Sequence, residues 1–255
     1  LSPLILLISL SFVAIALFIS YKEQLALEKD LLVGTIRAFI QLFVIGYVLQ
    51  LIFDLRSLTG ILFILALMIL VASQNASQKS SFLPRSIALT YILGALLFAE
   101  ITTMGLLLIL QIVPVEPQYI IPISGMIIGN AMIAAGLTLS RLQSELASQK
   151  GLILTALALG ATGRQAASSA IKQALRAGMS PTIDSMKTVG LVQLPGMMTG
   201  LIIAGASPIE AVKYQILIIL VITASTAIAS ITVALGCYKP FFTSQHQLSN
   251  YYPRQ

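Results

Sequence analysis

Charge is scarce in this sequence. Only 15 lysines and arginines and 9 aspartates and glutamates occur among 255 residues, 9% charged against 57% hydrophobic. So little polar surface cannot solvate a globule of this length, and a mean hydropathy of +0.95 places the chain in a lipid bilayer. One cysteine, Cys237, excludes an internal disulfide framework, and one histidine, His246, excludes a multi-histidine metal site within a single chain. The G-x-x-x-x-G-K-[ST] phosphate loop is missing, as are a Ser/His/Asp set, paired carboxylates and a dinucleotide fingerprint. The chain therefore does not read as an enzyme and brings no cofactor site of its own. Nor does the net charge of +6 point to nucleic acid: the bases are interleaved with apolar runs, where anionic headgroups and cytoplasmic loops account for them.

What is present is a series of apolar runs. About 20 such residues cross a bilayer as a helix, and seven stretches qualify, at roughly 3–20, 31–53, 58–76, 86–112, 118–139, 188–206 and 208–237. The first lacks the basic start and small-residue cleavage site of a signal peptide and reads as a retained span. With the N-terminus outside, twelve bases fall in cytoplasmic segments and only Arg56 and Lys213 outside, with Arg37 inside span two. The expected architecture is all-α and polytopic, with about seven transmembrane helices, the N-terminus outside and the C-terminus inside. One membrane domain covers 1–255. "SPIE" at 207–210 reads as a capping box that starts the last span, with Ser207 as N-cap and Pro208 first in the helix.

Residues 140–187 form the only sizeable polar segment, placed by the charge bias in the cytoplasm between spans five and six. Within it, Ala166, Ala167, Ala170, Ile171, Ala174 and Leu175 fall on one helical face, with Arg164, Lys172 and Arg176 largely off it. Gly178 is expected to end this helix, and "SPTID" to restart one with Ser180 as cap. Such a helix either rests on anionic headgroups or serves as a docking element for a cytosolic partner.

Several residues stand out within the spans. Gly125 and Gly129, and Gly196 and Gly200, are small residues four apart, the spacing that lets helix backbones approach; incidental glycine in apolar helices is the competing reading. Pro195 removes a backbone hydrogen bond near the start of span six and is expected to bend it. Glu100 is an acidic residue deep within a span, where a carboxylate normally faces a bundle interior or a water-filled path. It reads equally as a cation or proton site, as a partner for Arg37, or as an acid hydrogen-bonded to Thr102, Thr103 or a neighbouring helix. Arg37 and Gln41 lie one turn apart on span two, Arg37 close enough to its end to snorkel. Asn130 suits an interhelical hydrogen bond. The eight methionines, Met197 among them, read better as flexible packing than as a soft-metal site, because adjacent Met197 and Met198 diverge by about 100° on a helix.

The stretch "LALGATGRQAASSAI" at 157–171 resembles the ATPase-docking motif of ABC import permeases. Gly160, Ala161, Thr162 and Gln165 match it; the initial glutamate and the closing Leu-Pro do not. Together with "MSPTIDSMKTVGLVQLPGMMTG" and "GASPIEAVKYQI", it makes the chain similar to the FetB-type ABC permease family, which includes iron-export permeases and the membrane subunits of plant aluminium-tolerance transporters. The similarity is densest over 154–216 and extends to "RAFIQLFVIGYVL" and "GMIIGNAMIAAGLTLSRL". It implies a homodimeric permease in a bacterial inner membrane, exporting a metal ion or another small solute. ATP and Mg would be held by a separate cytosolic ATPase, docked around 157–177 and touching Lys172 and Arg176. The alternatives are an ion-coupled carrier using Glu100 and a membrane scaffold that transports nothing.

Overall fold

The computed structural model describes residues 3–55 and 58–249; Arg56 and Arg254, both counted in the charge bias, lie outside them. The described residues form helices and turns, with two isolated bridges and no strand. The chain divides into two compact units, Leu1–Ser57 and Leu58–Gln255.

The first unit is a helical hairpin of α1 (Pro3–Lys22) and α2 (Glu28–Leu55). Its turn uses left-handed backbone at Gln24 and Ala26. Ser20 ties the turn together: its hydroxyl donates to the Glu28 carboxylate at 2.7 Å and accepts from the Leu27 amide at 3.3 Å. Apolar side chains stand exposed around α2, among them Ile36, Ile40 and Phe43. A helix apolar all round makes sense only where lipid covers it.

The second unit is a bundle of α3 (Leu58–Ser77), α4 (Arg85–Ile109), α5 (Pro117–Ser148), α8 (Ser168–Thr188) and α10 (Pro208–Cys237). Between α5 and α8 lie α6 (Lys150–Ala158) and the short α7 (Gly163–Ala166); α9 (Gly196–Ile203) precedes α10, and a 3-10 turn, Lys239–Phe241, follows it. Helix α5 is the hub, packed on α3, α4, α8 and α10. The contacts are built from alanine: Ala88, Ala95 and Ala99 of α4, Ala131 and Ala135 of α5, Ala170 and Ala174 of α8, and Ala229 and Ala234 of α10 are all buried. In lipid there is no hydrophobic force to draw helices together, so small side chains that admit close backbone approach supply the dispersion contacts instead.

Five helices among the described residues are long and apolar enough to cross a membrane: Glu28–Gln50 within α2, α3, α4, α5 and Pro208–Phe241 around α10. The first expected span is represented by the shorter apolar stretch Ser9–Lys22. The sixth, 188–206, differs from expectation. Helix α8 stops at Thr188, residues 189–195 leave the helix, and α9 has only eight residues, none of them buried. Gly190 takes a left-handed φ of +83°, and its amide donates to the Gln193 carbonyl at 2.9 Å. Pro195 has no N–H to continue a helix from the preceding turn, so it caps α9 where a bend was expected.

The helix boundaries within 140–187 also depart from expectation. Helix α5 runs on to Ser148, because "SRLQSELAS" contains neither glycine nor proline and buries Leu139, Leu142 and Leu146 on one face. Its 32 residues span about 48 Å, well beyond a hydrocarbon core. Helix α8 packs along both α5 and α10, and the face it buries, Ala170, Ile171 and Ala174, is the one its spacing marks out. Gly178 does not end it and Ser180 does not cap a new helix: α8 continues through both, with Pro181 inside. A Cβ at Gly178 would collide with the Thr138 hydroxyl of α5 and approach Ser230 of α10. That glycine serves close packing, and the helix has no reason to end there.

Candidate functional site

Two features of the second unit have functional geometry. The first is the surface turn between α6 and α7. Gly160 adopts φ +89° after α6, its amide donates to Leu157, and the Ala161 amide reaches back to Ala156, a Schellman closure. Thr162 and Gln165 then form a capping box: the Thr162 hydroxyl accepts from the Gln165 amide at 3.3 Å, and the Gln165 side chain accepts from the Thr162 amide at 2.9 Å. The four residues that match the docking motif thus reverse the chain between two helices. Apolar side chains are uncovered here, Leu159 83% exposed at the turn and Leu152 73% exposed near the start of α6. Lys172 and Arg176 are exposed one turn apart on α8.

Beneath this turn the structure is firmly tied. The Phe242 ring packs on Gly163, where a Cβ would overlap it, and the Gly163 amide donates to His246 Nδ1 at 3.4 Å. Glu145 of α5, buried, pairs with Arg141 at 2.6 Å and accepts from Gln149 at 2.6 Å. The Gln173 amide of α8, turned so that its nitrogen faces Glu145, donates to both carboxylate oxygens at 3.1 and 3.2 Å. Gln143 accepts from the amides of Ser81 and Phe82 at 2.6 and 2.9 Å, fixing the α3–α4 connection to α5. Neither Gln143 nor Glu145 stands out in sequence reading, although both share the helical face of Leu139, Leu142 and Leu146.

The second feature is a partly open cavity of about 370 Å³ lined by α5, α8, α10 and residues 193–197. It gathers Asn130, Pro195, Gly196 and Met197, all singled out in the sequence, with Gln215, which was not. Gln215 follows the buried Ala211 and precedes the buried Ile218 on one face of α10. A polar side chain in that register of a span is the signal that could have found it. The other polar walls are Thr182 and Ser185 of α8 and Gln193. Asn130 donates to its own Met126 carbonyl at 2.8 Å, so it makes an intrahelical bond where an interhelical one was expected.

The remaining candidates are scattered. Gly125 meets the Met68 methyl at 3.2 Å from a built Cβ, whereas Gly129, Gly196 and Gly200 face open space within the chain. Glu100 is 5% exposed in α4, beside Ser124 of α5, and neither carboxylate oxygen has a hydrogen-bond partner among the described residues. Thr102 and Thr103 donate to their own helix carbonyls at Phe98 and Ala99. Arg37 and Gln41 are exposed on α2 of the first unit. Among the described residues no group of three or more His, Cys, Asp or Glu could hold a metal ion.

Residues 3–242 match the family described as Uncharacterised protein family (UPF0014), and the chain belongs to it. It is 39% identical over 241 residues to the "Probable iron export permease protein FetB" of Escherichia coli, covering 94% of this chain and 92% of that one. Identity to the "UPF0014 membrane protein YjkA" of Bacillus subtilis is 44%, over 94% and 96% of the two chains. With the "Protein ALUMINUM SENSITIVE 3" of Arabidopsis thaliana it is 41%, over 95% and 88%. No solved structure matches significantly. The apolar helices and the family together make this an integral membrane protein.

Proposed function

We propose that this member of the UPF0014 family is the permease subunit of an ATP-driven exporter in a bacterial inner membrane, with ATP and Mg held by a separate cytosolic ATPase. The observation that carries the reading is the α6–α7 turn, which exposes Leu159, with Leu152 exposed on α6, at one end of a helix that lines the cavity farther along. A push on that turn enters α8, whose alanine and glycine face couples it to α5 and α10. The name of the Escherichia coli relative supports export of a metal ion, iron-like in character, or of another small solute. The protein works as a homodimer, and the open faces at Gly129, Gly196 and Gly200 leave room for close approach by a second copy.

Co-expression with the candidate ATPase and pull-down from detergent tests this. The ATPase is expected to stay with the wild type and to be lost from Leu159→Glu and from the double variant Lys172→Glu/Arg176→Glu. Retention by all three would refute docking at this surface. A second reading, an ion-coupled carrier, draws on the unpartnered carboxylate of Glu100. Flux in proteoliposomes that follows a proton gradient without any ATPase, and disappears in Glu100→Gln, would favour it.

A further inference from the structure

We infer that the cavity between α5, α8, residues 193–197 and α10 is a binding site for an uncharged solute bearing hydrogen-bond donors such as hydroxyl groups, and is not a site for a bare metal ion. This rests on the permease reading only in identifying the bound solute as cargo. The volume of about 370 Å³ falls in the range of small-molecule pockets, roughly 300–1,000 Å³.

The polarity of the lining decides the class of ligand. Among the described residues that line the cavity there is no Asp, Glu, Lys, Arg, His or Cys. Protein sites for iron and other divalent ions rely on carboxylate, imidazole or thiolate, which replace the hydration shell and balance the charge. A lining of neutral amides, hydroxyls, isoleucines and thioethers does neither. What it offers is uncharged hydrogen-bonding groups, with one buried acceptor left unpaired. Gln215 is nine-tenths buried and its Oε1 has no partner. One N–H of the Asn130 amide donates to the Met126 carbonyl at 2.8 Å and one N–H of Gln193 to the Ser185 hydroxyl at 2.8 Å, each leaving a second N–H. Amide groups from α5, α10 and the 189–195 segment thus meet at one cavity, and among its described lining groups Gln215 Oε1 is the buried acceptor that lacks a donor. A buried acceptor without a donor is costly, and a hydroxylated ligand supplies the donors. Ile218, Ile219 and Ile222 form an apolar wall suited to its C–H face.

Cysteine labelling in proteoliposomes tests this without knowledge of the cargo. Gln215→Cys and, as a second position, Asn130→Cys are treated with methanethiosulfonates bearing hydroxyethyl, trimethylammonioethyl or sulfonatoethyl groups. Wild type, whose only cysteine is the buried Cys237, sets the background, and Ile203→Cys on exposed α9 gives the reference rates. Relative to that reference, the hydroxyethyl reagent is expected to react at least tenfold faster than either charged reagent at both positions. Excess myo-inositol is expected to slow it at least twofold, and ferrous ion added alone under argon to leave it unchanged. A cationic reagent that reacts as fast as the neutral one, protection by ferrous ion, no protection by myo-inositol, or no labelling above background at either position would overturn the inference. None of these readouts involves an ATPase, so they fail separately from the permease reading.

Discussion

Helices α8 and α9 are joined by seven residues, yet they are held in opposite ways. Helix α8 sets a face of alanine and glycine against two neighbours, with Gly178 so close to Thr138 that no side chain fits between them. Helix α9 buries nothing, touches α10, and leaves Gly196 and Gly200 open. The difference teaches where motion can occur. Packing without slack transmits force, whereas a segment with few buried contacts opens at low free-energy cost. The 189–195 break between them, with Gly190 left-handed and Pro195 unable to donate, lets the two move independently. One wall of the cavity is thus packed into the bundle, whereas the other, at 193–197, is held to α8 by the Gln193–Ser185 hydrogen bond and buries little.

This contrast can be broken most severely at Gly178. Gly178→Leu forces α8 away from α5 and is expected to cost about 3 kcal/mol or more, the upper range for overpacking; loss of folded protein and a lowered Tm in detergent would show it. Ile203→Ala on α9, a side chain 81% exposed, is expected to leave Tm within a degree or two. Equal damage at both sites would erase the distinction. Next comes Gln143→Ala, which strands the Ser81 and Phe82 amides and is expected to cost about 1–3 kcal/mol by the same measurement. Thr162→Ala removes one half of the capping box, about 1 kcal/mol of local stability. Its larger effect is expected on ATPase retention, since the turn is a surface device. Pro195→Ala should be smallest in stability, within about 0.5 kcal/mol as for a surface change, and is expected to show instead as altered transport when α9 gains the option of extending toward α8.

Much of this was legible in the chain. The buried face of α8 follows from the spacing of Ala170, Ile171 and Ala174, and the Ser207 cap and Pro208 start of α10 stand as their chemistry requires. Gly160, Thr162 and Gln165 were singled out by their likeness to a docking motif, and the structure places them in a helix-to-helix turn through a left-handed glycine and a capping box. Other features were hidden because local signals and tertiary contacts conflict. Gly178 and Pro181 are helix breakers in isolation, but the α5 surface rewards a helix that passes closely by Thr138, and the bundle overrides propensity. The polar character of 140–187 suggests solvent, although half of it lies against other helices, and burial by alanine leaves little hydropathy to read. Gln215 was missed although a lone glutamine on the buried face of an apolar run is a signal; what it serves becomes visible only when other helices place amides beside it. Glu100 drew attention in sequence for its charge, yet it lines no part of the cavity.

Helix α8 is thus expected to carry the push rigidly while the segment after it yields. Backbone hydrogen exchange of the assembled complex in lipid, with and without ATP, tests it directly. Residues 189–203 are expected to exchange fast and to change on ATP addition, while 168–188 stay protected in both states. Loss of protection across α8 itself, or a nucleotide response in neither segment, would contradict it.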